Sequence, residues 1–576
     1  MPDLYVSPTG SGDEYSLGSP GSLHGAIKKV RTLTGTMSED ITIYLRGGTY
    51  FLDEPMVLWD ADSGKNGHRV IYKAYTGESP VLSGGVVITG WSSVGGGVYK
   101  ASYTGPGFRQ LYVDGSRAVK ARKPTQTDDL TFGPYYEYVG WDGDNKCVKV
   151  NTSEISSWTG LQDVEMVVKH HWNQGRYRID HITVDGADSD FTWVYFREPE
   201  TSINAWESTS THGSGWISGQ TFYFENSIDI LDAEGEWFFD RSAGEVYYYP
   251  RSGEDMGTAG VIAPARDLLL EVDGASYISF EDLIIEHSNW DLPHDARIGR
   301  TMGLRRGYPR IFIPGGIRVV RSHHIWFLNN VIRNFGGIGI ELSHSTHENI
   351  IDGNTITNIA SNGIVVYTRT YDSNPTASKE CRADEITNNT ISKVAQEYTG
   401  GAGINATFVN SIVIEHNEIS DTPYAGINVG AGFSDTTTNL QDNSVQYNHV
   451  HHVMQLHDDG GGIYANAKQS GTVFSYNYVH DIVRSEWAEA WAMGAFYLDN
   501  GSSYMAVENN VIGVAPRAFS AWNQPNHDNT FRYNWYDEND EILSAEENTV
   551  SDNVLVAGEG WPAGALAIIA AAGPES

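Results

Sequence analysis

NNVIRN at 329–334, GNTITN at 353–358 and NNTISK at 388–393 are one phrase written three times, and it keeps returning. HNEISD (416–421), YNHVHH (447–452), YNYVHD (476–481), NNVIGV (509–514), YNWYDE (533–538) and DNVLVA (552–557) carry it almost to the end of the chain. Each has an Asn in second place and a short apolar step after it: Asn330, Asn354, Asn389, Asn417, Asn448, Asn477, Asn510, Asn534 and Asn553. Successive Asn residues are 24, 35, 28, 31, 29, 33, 24 and 19 positions apart. The shorter steps suit one turn of a solenoid, and the longer ones a turn with a loop inserted. Asn has two physical reasons to recur here. It tolerates a left-handed backbone at a tight turn, and its amide can bond to the Asn of the next turn. These residues are therefore read as structural.

A second phrase accompanies the first: GIGIEL (337–342), NGIVVY (362–367), GAGINA (401–406), YAGINV (424–429), GGGIYA (460–465) and MGAFYL (493–498). Its apolar residues alternate, the mark of a half-buried strand. A turn of two or three such strands cannot bury its apolar face alone, whereas stacked copies bury it continuously. The expected fold is all-β: a right-handed parallel β-helix with an inserted β-rich domain and short capping helices. N-terminal coils and a capping helix occupy 1–100, with helical spacing at 22–33 and Ser22 as N-cap. Residues 101–265 break the rhythm and read as a β-rich, sandwich-like insertion, with a hairpin at DRSAGEV. The main helix fills 266–560, and a short helix at 561–571 within the tail 561–576 is expected to cap the last coil.

Composition narrows the partners. The net charge is −35, so nucleic acid and anionic membranes are repelled at long range. No run approaches the roughly 18 apolar residues of a spanning helix, so no membrane partner is expected. Cys147 and Cys381 form no metal or redox spacing, which leaves free thiols or one structural disulfide. MPDLYVSPTG lacks a basic and apolar start, so no signal peptide is read there. The protein is then either intracellular or begins at its mature end, and an extracellular or periplasmic location is the expectation. Its oligomeric state is not legible.

The chemistry gathers in two acidic segments. Aligning GGGIYAN with GAFYLD puts Ile463 and Phe496 inward, and Tyr464, Tyr497, Asn466 and Asp499 outward. Asn405 and Asn428 fall in the Tyr464 row. Asn, Tyr and Asp in one row supply hydroxyl partners and an aromatic surface, as a sugar site needs. Asp458 and Asp459 precede three glycines, one coil before the strand that ends in Asp499. Glycosidic cleavage needs two carboxyl groups, and an offset of one coil allows a suitable separation. Turn acids, or a structural calcium site, are the competing reading. Trp487 and Trp491 lie in a loop beside this face, and His457 is placed to tune Asp458. HVHH at 449–452 suits no tight zinc motif, so no metal or cofactor is expected. KHHW at 169–172, Arg176 and Arg178 are read as a solvated sheet edge, unless the insertion folds over the groove.

With these residues on the page, the chain resembles the parallel β-helix carbohydrate-active enzymes of glycoside hydrolase family 141, which includes α-L-fucosidases and xylanases. The resemblance is carried by LYVSPTGSG, RGGTYFLDEPMVL (46–58), RQLYVDGSRAVKAR (109–122), GEWFFDRSAGEVYYYPRSGEDM (235–256), DDGGGIY and YLDNGSS. It implies a catalytic pair at Asp458 and Asp499, 41 residues apart, with Asp459 as the neighbour that resemblance does not separate from Asp458. The expected function is hydrolysis of plant or algal cell-wall polysaccharide, fucosidase-like or xylanase-like, with an oligo- or polysaccharide substrate. Two alternatives stand beside it. A lyase or epimerase would use Lys468 and Arg484 to neutralise a uronate. A non-catalytic glycan-binding β-helix would bind without releasing product.

Overall fold

The computed structural model describes residues 3–575, except 143, 198–219, 292–312, 368–378, 431, 489–491, 522–524, 538–541 and 544–546. Within them the chain winds as a right-handed parallel β-helix, and each full coil gives one strand to each of three long parallel sheets. The first runs over 13 strands from Leu4–Val6 to Thr549–Ser551, and the second over 12 from Gly48–Phe51 to Val554–Leu555. The third runs over 11, from Met56–Leu58 to Ile542–Leu543. One coil shows the plan: Ser444–Gln446, His449–His451 and Gly460–Ala465 lie in the first, second and third sheets in turn.

The nine Asn residues stack at the corner between the first and second sheets. Each Nδ2 donates to the next residue's Oδ1 at 2.9–3.0 Å, from Asn330 through to Asn553. The left-handed backbone belongs instead to the residue before each of them: Asn329, Asn388, His416, Tyr447, Tyr476, Asn509, Tyr533 and Asp552 have positive φ, as does Gly353. The ladder Asn needs its side chain turned inward, and the residue ahead of it makes the turn. The vacated outer corner holds a stack of its own, His416 on Tyr447 on Tyr476, at 4.9 Å per step.

Ser22 accepts a bond from Gly25 N–H and starts the helix Leu23–Arg31, which buries Leu23, Ala26, Ile27 and Val30 against the first coils. The insertion begins earlier than residue 101, since Gly85–Ile88 already pairs antiparallel with Val261–Pro264. Alternating apolar residues look alike in either kind of sheet, which hid that boundary. The insertion's strands form sheets of four, five and eight strands over two apolar clusters of their own. Glu236–Asp240 and Glu245–Tyr248 make the expected hairpin.

The tail differs from expectation. Helix Ala563–Ala571 packs on Val511, Tyr476, Tyr478 and Trp535, along the flank of the second sheet. Beyond it Gly573 donates to Tyr447 O, and Glu575 N–H to Asn388 Oδ1. The tail thus runs back along the outside of the coils as a brace and does not cap the end. Cys147 and Cys381 are free and buried. Among the described residues no helix is long and apolar enough to cross a membrane.

Candidate active site

Three glycines shape the site. A Cβ on Gly460 would lie 2.7 Å from the Tyr424 ring, and one on Gly461 2.9 Å from Tyr497 Cβ. Only glycine lets these tyrosines close over the start of the strand Gly460–Ala465. That strand pairs in parallel with Met493–Leu498, with Tyr464 opposite Tyr497. The outward row runs Asn405, Asn428, Tyr464, Tyr497 and then Ser520.

Tyr464 and Tyr497 stack with centroids 5.6 Å apart and planes 10° apart. Each holds an acid. Tyr464 Oη donates to Asp499 Oδ2 at 2.6 Å, and Tyr497 Oη donates to Asp459 Oδ1 at 2.7 Å. Tyr424 Oη donates to the Asp459 carbonyl at 2.9 Å. The three hydroxyls stay protonated, because burial and the neighbouring aspartates push their pKa values up. Asp459 itself sits at φ 54°, a left-handed turn that aims its carboxyl at Tyr497. Burial first, then the negative charge of Asp499, push Asp459 up to about 7 against the opposing bond from Tyr497. Asp459 and Asp499 remain partly exposed on an otherwise buried surface.

Asp458 is placed differently. It is fully buried, its Oδ1 lies 2.7 Å from His171 Nδ1, and its N–H donates to His171 O. Arg484 Nη1 is 3.8 Å from its Oδ2. Asp458 thus faces the insertion, while its neighbour faces Asp499. The residues 169–172 are correspondingly no solvated edge: Lys169, His170, His171 and Arg176 are all buried. The His457 ring nitrogens meet Thr399 Oγ1 and His170 O, away from the Asp458 carboxyl.

Asn428 Nδ2 donates to Asn405 Oδ1 at 3.1 Å. Asn428 Oδ1, Asn466 Oδ1 and Ser520 Oγ are buried polar atoms with no hydrogen-bond partner among the described protein groups. Trp487 packs edge-on against Tyr135 at 5.3 Å, in an apolar cluster shared by the insertion and Leu456. That contact makes it a brace for the insertion. Trp491 lies outside the described residues. Of the two cations a lyase would use, Lys468 lies over the Tyr504 ring at 4.7 Å, and Arg484 beside Asp458. Metal-ligand chemistry gathers elsewhere, where Glu418, His449 and His451 bring ligand atoms within 4.8 Å of one another.

Sequence reasoning missed Tyr424, and gave His171 only within KHHW, in the case that the insertion folds over the groove. Tyr424 opens the YAGINV strand and so stands one coil below the acids, a signal that was available. His171 meets its partner across 287 residues, with nothing local to announce it.

Residues 99–251 match the family model described as the GH141 insertion domain. A solved structure titled "Glycoside hydrolase" is 26% identical, with a TM-score of 0.82, covering 100% of this chain and 99% of that one. The chain resembles the family 141 glycoside hydrolases. The family model matches the insertion alone, the likeness to the solved glycoside hydrolase covers the β-helix as well, and together they support a carbohydrate-active enzyme. Two other solved structures are less similar. One is titled as a complex of XylC with xylose (14% identity, TM-score 0.49, covering 96% of this chain and 86% of that one). The other is the GH136 lacto-N-biosidase from Eubacterium ramulus (12%, 0.45, 96% and 67%). No curated protein matches the sequence.

Proposed function

We propose that this protein hydrolyses glycosidic bonds in plant or algal cell-wall polysaccharide outside the cytoplasm, with Asp459 as general acid and Asp499 as base or nucleophile. The observation that carries the reading is the paired environment of these two acids. One carboxyl is raised to about 7 by burial and by the charge of the other, and a stacked tyrosine holds each in place. A glycosidase needs two carboxyl groups kept in opposite protonation states at one pH. Asp459 donates its proton to the leaving oxygen. The carboxylate of Asp499 then acts on the anomeric centre, directly or through water. Asn428, Asn466 and Ser520 offer buried polar atoms for sugar hydroxyls along the same row. Asp458, which the family resemblance implies as catalytic, becomes a positioning residue that ties this turn to the insertion through His171.

The test is turnover of aryl α-L-fucosides and xylo-oligosaccharides by Asp459→Asn, Asp499→Asn and Asp458→Asn. The first two are expected to lose about 10²–10⁴-fold in kcat. Asp458→Asn is expected to retain most of its turnover, with the alkaline limb of its pH profile moved slightly down as one neighbouring charge is lost, and to lose thermal stability. Near-full turnover by Asp459→Asn, with Asp458→Asn inactive yet folded, would return the acid role to Asp458.

A further inference from the structure

We propose that the chain binds one divalent transition-metal cation of the zinc type on the outer face of the second sheet, through Glu418, His449, His451 and His480. The site comes from three successive coils. In their register Glu418 pairs with His449 and then Tyr478, and two residues on Ser420 pairs with His451 and then His480. Residues two apart share one face of a strand, and neighbouring strands lie about 4.8 Å apart. Two adjacent columns of the sheet therefore place a carboxylate and three imidazoles in a zigzag down three coils, on one face.

The donor atoms converge. His449 Nε2 is 2.7 Å from His480 Nε2, and His451 Nε2 is 3.4 Å from Glu418 Oε1. Ligand atoms of Glu418, His449 and His451 all lie within 4.8 Å of one another. Ligands at zinc distances of about 2.0–2.1 Å in a tetrahedron are about 3.3 Å apart, so Glu418, His449 and His451 need only close in, while His480, which meets His449, swings in as the fourth. His480 is already oriented for the task. Its Nδ1 lies 2.7 Å from Asp481 Oδ2, the carboxylate–histidine pairing that fixes the tautomer and leaves Nε2 as the ligand atom. The side chains of His451, His480 and Glu418 remain 18%, 16% and 38% exposed, so a cation has access.

The site escaped the sequence because its ligands lie one coil apart. HVHH alone has no zinc spacing, whereas His449 and His480 meet across 31 residues. The tail passes beside it, since a Cβ on Gly573 would lie 3.4 Å from His449 Cβ. A bound cation would therefore staple three coils where the tail docks.

The test uses the full chain, free of any affinity tag and stripped of metal, titrated with ZnCl2 by calorimetry and with CoCl2 by visible absorption. One equivalent is expected, with cobalt bands of a tetrahedral nitrogen and oxygen site. His449→Gln and His480→Gln are expected to weaken zinc by at least about 100-fold and Asp481→Asn by about tenfold. His347→Gln, in a separate histidine cluster on the first sheet, is expected to leave binding unchanged. A native chain that takes up no cobalt at one equivalent overturns the proposal whatever the variants do. So does binding that survives loss of both His449 and His480.

Discussion

Asp459 carries two properties that pull against each other. Its raised pKa gives the proposed acid a proton to donate near neutral pH, and the same environment penalises its charge. In activity, the protonated form is the working form. We expect kcat/KM to fall about tenfold per pH unit above a pKa near 7, and Asp499→Asn to remove the charge that helps hold that pKa up. A pH–rate profile of the native enzyme checks the first expectation, and titration of Asp459 in the variant by NMR checks the second. Asp459 ionises near 7 when folded and near about 3.9 when unfolded, so its contribution to stability is complete below about 4 and is lost as pH rises through 7. Asp459→Asn is neutral throughout and escapes that loss. Its melting temperature, relative to the native chain, should be higher by about 2 °C or more at pH 8 than at pH 4. An unchanged difference between the two pH values would mean that the site does not penalise the charge. At this scale the outward row, with Asp499, follows from strand alternation, whereas Asp458 and Asp459 were marked only by the three glycines after them. The choice between Asp458 and Asp459 was not legible, because a left-handed turn at Asp459 sends adjacent carboxyls to different partners.

Each ladder Asn is an element in itself. Asn448 accepts from both the backbone N–H and the Nδ2 of Asn417, and donates to Ile414 O, Gln446 O and Asn477 Oδ1. Truncation leaves these buried groups unpaired on three coils at once, and each unpaired group costs about 1–3 kcal/mol. Asn448→Ala should therefore cost about 3 kcal/mol or more and visibly lower the urea midpoint. Asn553 ends the ladder, is only half-buried and has no Asn beyond it, so Asn553→Ala should cost about 1 kcal/mol. Equal costs at the two positions would show that the ladder does not couple coil to coil. The period and side-chain alternation made the helix legible, because both follow from stacking alone. A second ladder, from Asn349 to Asp384 and from Asn443 to Thr472, was not legible. Its members change chemical type from coil to coil while keeping one geometry.

At the scale of the whole molecule, the insertion and the helix are joined by a buried ionic seam. Arg109 holds Glu165 through two bonds of 2.7 and 2.8 Å and reaches Glu397 on the helix at 2.6 Å. Arg176 and Lys120 bond Glu225 at 2.5 and 3.1 Å, and Arg176 also donates to Glu397 O at 3.0 Å. Three cations meet three carboxylates, so the seam is balanced within a chain of net charge −35. Nothing in the sequence linked Glu397 to Arg109, which lies 288 residues away in another sheet system. Their cost shows in the carboxylates. Burial is the largest single influence and opposes ionisation, yet Arg109, Lys120 and Arg176 together outweigh it, holding Glu165 well below its ordinary value and Glu397 down to about 2. Groups depressed in this way lend stability that is complete above their unfolded pKa of about 4.3 and lost as pH falls towards 2. The Asn ladder has no titratable group at its centre and keeps its bonds over that range. Acid should therefore open the seam before it unwinds the coils. Between pH 4.5 and 2, fluorescence of Trp158 and Trp237 in the insertion should change while the far-ultraviolet strand signal of the helix persists. Arg109→Met, which takes the bidentate partner from Glu165 and leaves Glu397 with Gln110 and Lys120, should cost about 3 kcal/mol or more at pH 7 and move the opening to higher pH. His171 crosses the same seam to reach Asp458, one residue from the proposed acid, so turnover should fall with the opening. If the insertion stayed docked at pH 2, or Arg109→Met left its acid transition unmoved, the seam would not be what holds the site closed.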